Sequence, residues 1–349
     1  MKKRMKRTVA TVLAFMLLLG MTGCSNSDSG RSEGGGGEND PLIVAVQSYY
    51  CSAPVGLIME NNWSEEYDCP FEIKVFNGGA PINEAMGEWD IAVTGGAFIY
   101  ALANYDCKLV AHQIDGTGGN DIMARDGDPI WDALGDTEKT ADVVKGSTIL
   151  TNVGTTGHYA LTLWLDHLGL SATDVNLISQ DFANVYASWI AGEGDYCVLT
   201  PPYSHENWEE RGSRVVTSLT EEGGKLYEAT VCTKDAYENR YDDVVKFVEM
   251  LYRACNELAA DSDLAFKTVQ DWYVDCGKEI EDDVIQGELD TKPFVTSEEA
   301  AQMDLTEFAV DYGEYYVDQG LIESDRVEVI KENCASDLFE EAVAKVNES

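Results

Sequence analysis

Three short stretches combine residue types that could grip a small molecule. Ser48-Tyr49-Tyr50 joins a hydroxyl to two aromatic rings, each a flat apolar wall with a polar tip. Thr94-Gly95-Gly96-Ala97 and Gly154-Thr155-Thr156-Gly157-His158 are glycine turns. Bare backbone lets a guest approach closely, and free N–H groups where a helix opens attract an anionic or carbonyl oxygen. The second turn adds the hydroxyls of Thr155 and Thr156 and the imidazole of His158. Tyr203, beside Pro201-Pro202, is a fourth candidate. Taken singly, each residue is explained as well by turn chemistry or core packing. Their weight depends on whether the fold brings them together.

Catalytic chemistry finds less support. Of the four histidines, His112 falls inside a strand pattern and His167 inside a helix pattern, as structural residues do. Gly116-Thr117-Gly118-Gly119 lacks the glycine order of a dinucleotide fingerprint, and no phosphate-loop or nucleophile-elbow motif occurs. The cysteines at 51, 69, 107, 197, 232, 255, 276 and 334 form no C-x-x-C pair, which argues against a metal cluster and leaves them as core residues or disulfides. Neither a catalytic residue nor a cofactor or metal is expected.

The elements that would position the turns alternate. Strand patterns at 42–46, 71–76, 90–94 and 108–114 are separated by helical stretches at 54–61, 82–86 and 97–104. A second series runs through strands at 121–125, 147–151, 174–179 and 196–200, with helices at 157–168 and 182–191. Connections this long imply parallel pairing through right-handed crossovers. The rest reads as mainly helical, over 241–260, 263–275 and 297–319, with short strands at 214–217 and 229–233. Two such α/β series, with chain crossings near 112–118 and 200–205, predict two lobes, a cleft and a hinge. The expected boundaries are 41–113 with 204–349 for the first lobe and 114–203 for the second.

Residues 1–23 read as a signal peptide, with a basic start and an apolar run from Thr8 to Gly20. Met21-Thr22-Gly23-Cys24 resembles the lipobox of bacterial lipoproteins, which implies acylation of Cys24. Several acyl chains hold a protein to a membrane where one does so only marginally. Residues 24–40, with four consecutive glycines, read as a flexible lipidated tether. The chain of 349 residues carries 24 Lys plus Arg against 63 Asp plus Glu, a net charge of −39. Losing the five cations of the first seven residues leaves 19 against 63, or −44. Such a surface offers no footprint for nucleic acid.

The stretches 77–102, 145–175, 191–203 and 315–322, in that order and spacing, resemble the solute-binding lipoproteins of ABC importers. The branch they resemble binds nitrate, sulfonates, taurine and thiamine-precursor pyrimidines. The resemblance covers roughly residues 42–322 and implies an α/β, two-lobed periplasmic-binding-protein-like fold of type II. That fold has two parallel-core mixed sheets with a hinge, plus C-terminal helices. It further implies an extracytoplasmic, membrane-anchored monomer that delivers a small solute to a permease. A ligand-sensing lipoprotein that docks on a receptor, or a surface antigen, would present the same sequence. An enzyme relative, the eukaryotic pyrimidine synthase of thiamine biosynthesis, carries a cysteine cluster that this sequence lacks. No Lys or Arg falls in the three turns, so the expected solute is a neutral or cationic heterocycle rather than an inorganic anion.

Overall fold

The computed structural model describes residues 40–206 and 208–348. The signal peptide, Cys24 and nearly all of the tether lie outside the described residues. Two five-stranded sheets organise the chain. The first has the order β2-β1-β3-β10-β4, from β1 (Leu42–Gln47), β2 (Phe71–Phe76), β3 (Ile91–Thr94), β4 (Cys107–Asp115) and β10 (Tyr227–Thr233). The second has the order β7-β6-β8-β5-β9, from β5 (Asp121–Arg125), β6 (Thr148–Thr151), β7 (Asn176–Ser179), β8 (Tyr196–Leu199) and β9 (Ser213–Ser218). In each sheet four strands run the same way, and one, β10 in the first and β5 in the second, runs against its two neighbours. The molecule is a two-lobed α/β protein.

One expected boundary moves. The strand at 213–218 pairs with β5 and so belongs to the second sheet, not the first. The double proline ends β8, but the chain then turns back along the same lobe and crosses only over residues 219–226. The two crossings lie side by side: Gly116 N–H donates to the Leu226 carbonyl at 3.0 Å, Leu226 N–H to Thr117 Oγ1 at 3.0 Å and Leu219 N–H to the Asn120 carbonyl at 2.9 Å.

The helices that matter for the site are α1 (Ala53–Glu60), α2 (Phe98–Asn104), α3 (Thr156–His167), α4 (Phe182–Ile190), α5 (Tyr241–Ala260), α6 (Ser262–Asp275), α7 (Asp282–Thr291), α8 (Leu305–Asp318), α9 (Arg326–Glu332) and α10 (Ser336–Glu348). The 4-3-4-3 spacing of Val244, Val248, Leu251, Cys255 and Leu258 puts all five on the buried face of α5. The single helix expected over 297–319 divides. Asp304 accepts the backbone N–H groups of Thr306 and Glu307 and so starts α8 afresh. All eight cysteines from Cys51 onward are free thiols, six of them buried, as small core residues. Among the described residues no helix is long and apolar enough to cross a membrane, and no cluster of acids, His and Cys could hold a metal ion.

Candidate functional site

The carboxyl ends of β1, β2 and β3 carry the first-lobe candidates. Ser48 is buried, and its hydroxyl donates to Asn77 Oδ1 at 3.0 Å, tying the ends of β1 and β2 together. Thr94 is buried too, and its Oγ1 accepts from Gln47 Nε2 at 2.6 Å. Gly95, Gly96 and Ala97 follow and open α2. Tyr50 turns away from the gap. Its hydroxyl donates to the Lys292 carbonyl at 2.8 Å and its ring stacks on Phe294 inside the first lobe.

Tyr49 stays half-buried, with its carbonyl accepting from Trp272 Nε1 at 3.1 Å. The ring lies beside Tyr203 of the second lobe, and burial followed by that neighbour pushes the Tyr49 phenol well above its usual range. Tyr203 is itself packed on Tyr186, ring centres 4.8 Å apart. The first and fourth candidate stretches therefore meet.

The second lobe's turn ends β6 and starts α3. Thr155 uses its hydroxyl on the Asn152 carbonyl at 2.6 Å. Gly157 is forced by packing: a Cβ there would come within 2.9 Å of Val198 Cγ1. His158 is buried, and its Nδ1 lies 3.3 Å from the Gly154 N–H and 3.0 Å from the Tyr315 hydroxyl. Burial pushes its pKa down to about 4, so the ring is neutral at physiological pH, and Nδ1 accepts from both. The two glycine turns also meet. A Cβ on Gly96 would lie 3.0 Å from Thr156 Cγ2 and 2.8 Å from the Tyr312 hydroxyl.

Residues outside the expected set complete the arrangement. Lys278, in the turn after α6, holds its Nζ 3.2 Å from the centre of the Tyr49 ring. That nitrogen is buried and has no hydrogen-bond partner. Burial lowers its pKa to about 8. No Lys or Arg falls within the three turns themselves, yet this one reaches the Tyr49 ring through space, delivered from far along the chain. Three tyrosines of α8 also reach the gap, although the sequence marks them only as one face of a terminal helix. Two cavities, of about 650 and 380 Å³, lie elsewhere: one between α1, β2 and α6, the other beside Arg125, Trp189 and Trp208.

Two similarly ordered sheets, a paired crossing and glycine turns facing one another describe a known architecture. The fold is that of the periplasmic binding proteins. No family model matches the chain. A protein of Brachyspira hyodysenteriae, provisionally named an ABC transporter periplasmic binding protein, is 28% identical over 351 residues, covering 98% of this chain and all of that one. The periplasmic aliphatic sulphonate-binding protein of Escherichia coli has the same fold, with a TM-score of 0.66 at 19% identity over 86% of this chain and 99% of its own. The periplasmic nitrate-binding protein of Synechocystis aligns with a TM-score of 0.69 at 11% identity, over 89% and 90% of the two chains. A Candida albicans protein described as having the generic periplasmic-binding-protein fold aligns with a TM-score of 0.61 at 14% identity, over 84% and 95%.

Proposed function

We propose that this periplasmic-binding-protein fold serves as the solute-binding component of an ABC importer. It is exported, anchored through acyl chains on Cys24, and passes a small solute to a membrane permease after the lobes close on it. Tethering raises its effective concentration at the permease. The observation that carries this reading is the approach of Gly96 to Thr156, which brings turns of opposite sheets face to face. In that gap Gly95, Gly96, Ala97, Thr156 and the Tyr49–Tyr203 pair contact the solute. Ser48, Tyr50, Thr94, Thr155 and His158 hold the walls from behind, because their side-chain polar atoms are already engaged within the protein.

The buried ammonium of Lys278, which has no hydrogen-bond partner, favours a solute with an anionic group, since a buried charge with only partial compensation is costly. Tyr49 and Tyr203 suit a flat organic body beside it. The sulphonate- and nitrate-binding neighbours are in keeping with an anion, and the Lys278 position weighs against the neutral or cationic heterocycle expected from sequence. A thermal-shift screen of alkanesulfonates, nitrate and pyrimidine-type compounds tests this. A true solute at 100 times its Kd adds about 2.7 kcal/mol of stability. Flat melting curves across the screen, with titration calorimetry silent too, would leave the surface-antigen reading instead.

A further inference from the structure

The helix α8 belongs to the first lobe, packing on α2, α9, α10 and β4, yet its side chains grip the second. The Tyr316 hydroxyl donates to the Gly154 carbonyl at 2.7 Å and lies 3.5 Å from the Gly96 carbonyl, touching both glycine turns. One residue earlier, the Tyr315 hydroxyl donates to His158 Nδ1 at 3.0 Å. Tyr312 stacks parallel to Tyr315 with ring centres 5.6 Å apart, and Tyr159 of α3 packs on both, 5.3 and 4.4 Å from them. Tyr312, Tyr315 and Tyr316 are all buried. Gly96 is the residue that lets Tyr312 and Thr156 come so close.

None of these contacts needs a solute. We propose that α8 is a built-in lock that holds the two lobes together through its tyrosines, so that the closed form is already populated before solute arrives. The lock sets a threshold in both directions. It lowers the ordering cost of solute capture, and whatever draws solute out must break the tyrosine contacts. The proposal takes its meaning from the two-lobed binding reading, but its test uses solute-free protein, so the two can fail separately.

Hydrogen exchange on the solute-free chain is read at the amides of residues 154–159. Tyr315→Phe and Tyr316→Phe each remove one inter-lobe hydroxyl, and each should speed exchange there by about 5-fold, the double variant by roughly 25-fold. Amides of β1 and β3 should not change. Tyr237→Phe, which removes a hydroxyl bonded to Asp337 within the first lobe, should leave residues 154–159 at the wild-type rate. Gly96→Ala approaches the same contact from the other side and should also raise exchange at 154–159 and the radius of gyration. Unchanged exchange in the double variant, or a scattering curve in which the solute-free wild type is open, would overturn the lock.

Discussion

Lys278 brings a positive charge to the gap, where Asp181 bears on both Tyr49 and Tyr203. Lys278 sits over Tyr49 with no hydrogen-bond partner, so the ring and the nearby Glu288 compensate its charge only in part, and a guest's negative charge would add to them. Lys278→Gln shortens the side chain by about one atom and removes the charge; it should weaken an alkanesulfonate found in the screen by at least 10-fold, read by titration calorimetry, while a neutral analogue is unaffected. The amine titrates near 8 in the folded chain, below the ordinary 10.5. Anion affinity should therefore fall as the pH climbs past about 8. Stability moves the other way. Between pH 8 and 10.5 the unfolded chain holds this proton and the folded one does not, so unfolding becomes harder as pH rises. Both trends should vanish in Lys278→Gln.

At the scale of elements, α7 and the start of β10 are joined by one buried ion pair. Lys292 Nζ meets Glu228 Oε1 at 2.6 Å, with both side chains under 10% exposed. Glu288 lies close by, its carboxylate accepting from Tyr273, and burial raises its pKa to about 7. Removing the cation alone would strand a carboxylate. Lys292→Met should cost about 3–5 kcal/mol in urea unfolding, and adding Glu228→Leu should restore most of it. The strands and helices themselves were legible: FEIKVF alternates over 71–76 and becomes β2, and the apolar spacing of 241–260 becomes α5 without adjustment. Contacts made by distant loops were not. Lys278 lies in a polar turn with no periodicity, and only the return of α6 onto Tyr49 brings it to the gap. The tyrosines of α8 read as an amphipathic stripe, since nothing local distinguishes a core-facing ring from one that crosses to another lobe. Strand 213–218 was visible, but its partner was not, because pairing is a tertiary choice.

For the whole molecule, the paired crossings at 116–120 and 219–226 leave the lobes joined by segments that hydrogen-bond to one another. Relative motion of the lobes must bend both together, and small-angle scattering of the wild type against the double variant Tyr315→Phe, Tyr316→Phe reads that motion directly. The thiols carry a different consequence. Among the described residues six of eight sulfhydryls are sealed in the interior and none is bonded to another, so this part of the structure owes nothing to oxidation. Dithiothreitol should leave the melting temperature where it was. Refolding is another matter: a denatured chain exposes every sulfur, and an oxidant met before collapse would weld pairs that the native core keeps apart. Yield after dilution from urea should thus rise with reductant, and an organism making this protein would do best to shelter it from disulfide-forming catalysts until it has folded.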